Sequence, residues 1–401
     1  MVSRLELAWT FFLIGLTSYG GPAIVAQIRQ VVVLRKRWLT EGQFQDSVAF
    51  CQLIPGPIAV QTAAHIGWRL HRGLGALVTL VCYVAPAFLL MLGLAAAYFR
   101  FGGLPIMVAL LKGMRAATVG IVVGSIVSMG AAALKDWRGV LIALAATAAL
   151  LLRLNVVLVL AGAGLAGVLL LWRQSFGPAA ALPATPRGDA AGDAPASAAP
   201  PRRSYGRTLA WVGVVLVLFV GGILLSGRLS PLYPRLGAVM VKVNLLAFGG
   251  GYTAVALMYE QVVVANSWLA PHEFIDGLAL SQVTPGPVIV TATFIGYHRG
   301  GLLAAVFATV CVFLPSALLL VLAAPHLERL RRIGAVASSL RGLLAAFMAM
   351  LFYVLWQVGR AAIIDPFTLA LTLGSIAALA LKTNPAWIVA GAVVLALIFG
   401  R

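Results

Sequence analysis

Acidic side chains are scarce in this chain. Its 401 residues carry 11 Asp and Glu against 29 Lys and Arg, and charged residues of either sign make up only 10%. With 62% hydrophobic residues, a soluble fold would have to wear a largely apolar surface, which excludes that class. Cysteine is almost missing: Cys51, Cys82 and Cys311 all fall inside apolar stretches, so no disulfide framework is implied. The 5 histidines and 3 cysteines form no cluster at metal-ligand spacing. His272-Glu273 begins like a zinc-protease helix but meets Asp276 where the second histidine is required. No Gly-Lys dipeptide occurs, hence no Walker-type phosphate loop. These absences argue against an enzyme and against a bound metal or cofactor.

What is present is apolar length. Windows 74–99, 104–133 and 207–226 can each cross a ~30 Å hydrocarbon core as a helix, so the expected fold is an all-α polytopic membrane protein in a lipid bilayer. The net charge of +18 does not point to nucleic acid, because its basic residues sit singly or in small groups at segment ends. Arg35-Lys36-Arg37, Arg69 with Arg72, and Arg329 with Arg331-Arg332 read as cytoplasmic topology signals. Arg4 followed by an apolar run mimics a signal peptide, but the same stretch recurs in mid-chain, which excludes that reading.

The chain is duplicated. "LTSYGGP" (16–22) lies over "LLAFGGG" (245–251), and "RWLTEGQFQDSVAFCQLIPGP" (37–57) over "SWLAPHEFIDGLALSQVTPGP" (267–287). "HRG" recurs at 71–73 and 298–300, Cys82 with Pro86 meets Cys311 with Pro315, and Lys112-Gly113 meets Arg341-Gly342. Two copies of one membrane unit are a common plan for transporters. The expected organisation is a first copy over 1–173, a flexible Ala- and Pro-rich linker over 174–206, an extra helix over 207–226, and a second copy over 233–401.

Each copy is broken twice. Gly20-Gly21-Pro22 and Pro55-Gly56-Pro57 interrupt pieces that reach roughly 18–22 Å, enough for the midplane but short of a crossing. Each break therefore predicts the tip of a re-entrant hairpin, followed by about four spans per copy. With both hairpins re-entrant, most basic residues of the first copy share one face. The 260–273 loop, equivalent to the basic 35–37 region, has no Lys or Arg, as an inverted second copy requires. Re-entry of only one hairpin would make the copies parallel.

A helix that starts at such a tip offers free N–H groups and the positive end of its dipole, a ready anion site. The candidate substrate contacts in the first copy are Ser18, Tyr19, Gly20, Gly21, Gln52, Pro55, Gly56, Gln61 and Thr62. In the second copy they are Gly249, Gly250, Gly251, Thr253, Gln282, Thr284, Pro285, Gly286, Thr291 and Thr293. Arg29, Lys112, Lys242 and Arg341 are candidates for charge compensation, with snorkelling to an interface as the plainer role for Lys112 and Arg341. A divalent tetrahedral oxyanion suits such donors. Asp46, Asp276 and Glu260 are the acids that could couple protons, although capping or ion pairing is the plainer role for the two aspartates.

"TSYGGPAIVAQIRQ", "LLAFGGGYTAVALMYEQVV" and the paired Pro-Gly-Pro segments resemble the chromate ion transporter family in its long two-domain form. Tyr19 stands where many relatives have Phe. The resemblance implies export of chromate across the bacterial inner membrane, sulfate as structural mimic, and opposite orientation of the two halves. Membrane potential can drive expulsion of a dianion at about 2.3 kcal/mol per charge per 100 mV, with proton coupling optional. An exporter of another anion such as sulfate or molybdate, or a channel-like conduit, remains the alternative, and a homodimer is the assembly expected.

Overall fold

The computed structural model describes residues 2–19, 21–134, 136–152, 154–171, 202–324, 334–381 and 383–399. Most of the expected linker, and the cluster at 329–332, lie outside them. Helices dominate, and no strand occurs among the described residues.

In the first copy α1 spans Arg4–Thr17 and α2 spans Gly21–Arg29, prolonged by a π-helical stretch, Gln30–Arg35. Then come α3 (Glu41–Cys51), α4 (Ile58–Phe101), α5 (Pro105–Ala133), α6 (Trp137–Leu151) and α7 (Val156–Leu171). Helix α8 (Arg202–Ser226) leads to the second copy. That copy comprises α9 (Leu232–Leu246), α10 (Gly251–Tyr259, with its own π stretch Glu260–Ala265) and α11 (Pro271–Val283). It continues as α12 (Thr291–Ala323), α13 (Gly334–Ala362), α14 (Pro366–Ala380) and α15 (Pro385–Phe399). Local chemistry sets the starts. Ser3 caps α1, Thr40 and Gln43 form a capping box for α3, and prolines 105, 271 and 366 open α5, α11 and α14, where a missing N–H is harmless.

Both broken segments of the first copy turn back on themselves. Lys36 reaches Glu6 at 2.9 Å and Arg69 donates to the Gln43 carbonyl at 3.4 Å, so the two ends of each hairpin meet at one end of the bundle. His71 joins them there, 2.8 Å from the Val2 carbonyl. We call this end the basic face. Helix α4 breaks at His71–Arg72, and its remaining 73–101 segment runs about 43 Å away from that face. It ends beside the base of the second copy's hairpins, where Phe99 packs on Phe294 and His298 and Tyr98 reaches Asp276. The two sets of hairpins therefore enter from opposite ends, and the copies are inverted. The far end is called the opposite face below.

Two features of the repeat emerge only in the structure. The matching "HRG" triplets are not structural equivalents, because the second break falls at Gly300–Gly301, 229 positions after His71–Arg72. The close approaches beside the breaks keep that register: a Cβ on Gly67 would meet the Gly75 carbonyl oxygen at 2.3 Å, and one on Gly296 the Ala304 oxygen at 2.4 Å. The four expected spans per copy are also unequal. Helices α6, α7, α14 and α15 have 15 or 16 residues, about 23 Å each, and fall short of a ~30 Å core.

The copies exchange helices. Helix α5 packs against α14 and α15 of the second copy, and α13 against α6 and α7 of the first. Glycine makes this fit at both seams, since a Cβ on Gly113 would meet the Ala392 oxygen at 2.5 Å and one on Gly342 the Ala163 oxygen at 2.1 Å.

Candidate functional site: four helix tips and a polar face

The Pro-Gly-Pro turns reach across to the opposite copy. Gly56 donates its N–H to the Ala247 carbonyl at 2.6 Å, and Gly286 donates to the Ser18 carbonyl at 2.7 Å. Ser18 and Ala247 end the α1 and α9 arms of the other hairpins, so all four tips converge in the middle of the bundle. Both turn glycines need positive φ, 119° at Gly56 and 107° at Gly286, a region that side chains disfavour. Each is also covered: a Cβ on Gly56 would lie 2.8 Å from Ser316, and one on Gly286 2.8 Å from Ala87. Ala87 and Ser316 each follow a helix proline, Pro86 or Pro315, so α4 and α12 each carry a proline at the level of the other copy's tip.

The two tips differ in chemistry. Around Gly56, buried Asn244 donates to the Ser316 hydroxyl at 3.0 Å and accepts from the Ser316 N–H at 2.8 Å. Around Gly286 the corresponding residues are Gly15 and Ala87, which offer no side-chain polarity. Gln61 donates to the Pro55 carbonyl, which leaves its amide oxygen buried without a partner among the described residues. His65 Nδ1 and Trp68 Nε1, on the same face of the re-entrant helix at one-turn intervals, are equally buried and unpaired. This face leads from the tip down to Arg69 at the basic face.

The second copy's other tip is open. Gly249 and Gly250 take φ of 91° and 124°, and Gly250 caps α10. A Cβ on Gly250 would meet nothing within 4 Å, and one on Gly251 only Val288 at 4.0 Å. There is thus free space beside the start of α10, across from the Val288 turn. Nearby, Gln282 donates to the Tyr252 hydroxyl at 3.3 Å, which also bonds Ser125.

Most predicted hydroxyl donors are occupied. Ser18, Thr62, Thr253, Thr284 and Thr291 donate to carbonyls of their own helix or turn, and Thr293 shares a hydrogen bond with Thr309. Hydroxyls in helices commonly bond back in this way. The donors left at the tips are backbone N–H groups. Gly20 lies outside the described residues, Gly21 begins α2, and Tyr19 and Gln52 are half-buried beside the turns.

The cations are distributed unevenly. Lys112 pairs with Asp365 at 2.7 Å, far from the tips at the opposite face. Its hydrogen bond, with the Thr368 N–H, holds the Asp365 carboxyl down at about 2. Lys112 thus ties α5 to the start of α14. Arg29 pairs with Glu41 at 2.8 Å at the hairpin base, half exposed. Lys242 donates to Gln261 at 2.9 Å, five residues before the Ala247 tip. Arg341 lies one turn before Leu344, whose side chain would sit 2.3 Å from a Cβ on Gly249.

The acids diverge as well. Asp46 is exposed at the basic face, and Glu260 is partly buried where the π stretch starts. Asp276, the equivalent of Asp46, is fully buried, with Arg115 donating to both its oxygens and Tyr98 donating at 2.8 Å. Arg115 and Tyr98 escaped the sequence reading, because the repeat places Leu344 opposite Arg115 and no pairing signal marks either residue.

Broken helices from inverted repeats that meet at a bundle's centre are a transporter architecture, and five described helices long and apolar enough to cross a bilayer make this a multi-pass membrane protein. The chain belongs to the chromate transporter family, which matches it twice, over residues 5–168 and 234–397. It is 30% identical over 401 residues to a chromate transport protein of Cupriavidus metallidurans, covering 98% of this chain and 92% of that one. A chromate transport protein of Pseudomonas aeruginosa is 33% identical over 316 residues, covering 78% and 70% respectively. An uncharacterized transporter of Methanocaldococcus jannaschii is 30% identical over 353 residues, covering 88% and 83%. No solved structure matches the chain significantly.

Proposed function

We propose that this protein exports chromate, a divalent tetrahedral oxyanion for which sulfate is the structural mimic, by alternating access across the bacterial inner membrane. The basic face is the cytoplasmic one, because Arg4, the 35–37 cluster, Arg69 and Arg72 gather there. The observation that carries the reading is the reciprocal pair of tip contacts, Gly56 to Ala247 and Gly286 to Ser18. Each contact joins one copy's re-entrant turn to the other's, so rocking one hairpin set against its scaffold changes both. The anion is held by N–H groups at the starts of α10 and of the re-entrant helices, with Gln61, Gln282 and Tyr252 around them and Arg341 as the compensating cation. The unpaired face of Gln61, His65 and Trp68 is the inner approach. A potential of 100 mV, negative inside, favours exit of a dianion by about 4.6 kcal/mol, so ATP is not required.

The test is uptake of radiolabelled chromate into everted vesicles, with the potential imposed separately from the pH gradient and sulfate as competitor. Saturable uptake driven by an inside-positive potential and inhibited by sulfate is expected. Folded protein that takes up no chromate would overturn the substrate, and uptake that never saturates would replace the carrier with a conduit.

A further inference from the structure

At the opposite face a chamber of about 330 Å3 opens between the end of α4, the start of α5 and the start of α11. Its walls include Arg100, Arg115 and His272, with Tyr98, Phe99 and Glu273. Glu273 is engaged elsewhere, since its carboxylate accepts the Ala270 N–H at 2.7 Å. Arg115 stands at the boundary. Behind it lies Asp276, with 0% of its side chain exposed, while Arg115 itself is 25% exposed and lines the chamber. We propose that this chamber is an outer oxyanion site in which Arg115 is the cationic ligand, and that the oxyanion and ionised Asp276 are alternative partners for it.

The charges decide how this works. With Asp276 ionised, Arg115 is neutralised by a two-point contact and Arg100 is offset by the Glu273 carboxylate, so the chamber holds little net charge. A proton on Asp276 removes that counter-charge, and the guanidinium, which cannot itself deprotonate, turns its full charge on the chamber. A planar fork suits two oxygens of a tetrahedral dianion as well as it suits a carboxylate. When Asp276 gives up its proton it reclaims Arg115 and the anion loses its ligand. Proton and anion thereby bind and leave together at one arginine, a coupling that ties this site to the export proposed above and rests on it. The titratable or charged neighbours are Tyr98 and Arg100 of α4, Arg115 of α5, His272 and Glu273 of α11, and His298 of α12, which stacks near Phe99. The hydrogen bonds of the pair come from α4, α5 and α11.

The experiment is binding of radiolabelled sulfate to purified protein in nanodiscs, from mildly acid to mildly alkaline pH, with chromate uptake measured in parallel. Sulfate stays a dianion throughout, so any pH dependence belongs to the protein. Wild-type binding should tighten as pH falls. The double variant Arg115→Gln/Asp276→Asn leaves no buried charge unpaired and so should fold; it should bind about tenfold or more weakly, without pH dependence. Arg100→Gln, on an exposed side chain, should weaken binding about two- to fivefold. Tyr98→Phe keeps the charges but removes one hydrogen bond from the carboxylate, and should move the pH midpoint upward. Wild-type affinity and pH dependence in the double variant would overturn the chamber proposal alone. A wild type that neither binds sulfate nor takes up chromate would overturn the export reading together with it.

Discussion

The breaks that end the re-entrant helices give a direct test of backbone strain. Arg72 has φ 58° and ψ −146°, and its counterpart Gly301 has φ 66° and ψ −152°, the same conformation in two residue types. That region belongs essentially to glycine, and a side chain there costs roughly 1–3 kcal/mol. At Gly301 an added Cβ meets nothing within 4 Å, so Gly301→Ala measures strain without a clash. Alanine recovers roughly 0.5–1 kcal/mol of chain entropy, which leaves a net loss of about 1–2 kcal/mol. At Arg72 the signs reverse. Arg72→Gly relieves the strain, loses a similar entropy, and loses the guanidinium 5.4 Å over Trp68, worth about 0.5–1 kcal/mol at an exposed site. Arg72→Ala loses the same ring contact but keeps the strain. Thermal unfolding of the purified protein should therefore rank Arg72→Gly above Arg72→Ala by about 1 kcal/mol and place Gly301→Ala below wild type. If Arg72→Ala matches or exceeds Arg72→Gly, the strain account of these breaks is wrong.

Three further outcomes are expected. Lys112→Gln should leave the KM for chromate within about twofold, because this lysine is held in a partly buried pair with Asp365, whereas Arg341→Gln beside the Gly249 tip should raise KM several-fold or more. Transport kinetics of the two variants in vesicles will check this. Asn244→Leu strands the buried Ser316 N–H beside the Gly56 turn and leaves the hydroxyl only its long bond to the Phe313 carbonyl; it should cost about 1–3 kcal/mol in thermal unfolding and depress turnover. Gly342→Val drives a branched side chain into the Ala163 carbonyl and should destabilise by roughly 1–3 kcal/mol or more, seen as loss of a monodisperse peak in size-exclusion chromatography.

The duplication, the four breaks and the inversion were legible in the sequence, because helix-breaking residues and basic clusters are local signals that do not need a partner to be seen. The site was legible only along its backbone. Gly56, Gly286 and Gly250 were found through their motifs, but the reach of Gly56 to Ala247 joins residues about 190 positions apart and leaves no local trace. Side-chain roles were harder still. Lys112 and Arg341 occupy matching positions in the repeat, and the symmetry suggested matching duties. The structure instead pairs Lys112 with Asp365 at the mouth of α14, whereas the aligned Asp136 at the mouth of α6 makes no ion pair with Arg341 among the described residues, which leaves Arg341 near a tip. Asp46 and Asp276 parted in the same way: only the second faces an arginine on α5. Sequence repetition transmits the backbone plan, while function departs from it one residue at a time.

The exchange of α5 and α13 has a bearing on how the protein is made. A newly synthesised first copy would emerge with α5 lacking α14 and α15, and with α6 and α7 lacking α13, since those partners are translated later. The first half must wait in the bilayer with its glycine seams open, and the finished particle closes in one late step. Once closed, it is held by the interlocked helices rather than by the peptide between 171 and 202, so a protease cut in that connector should leave one intact particle.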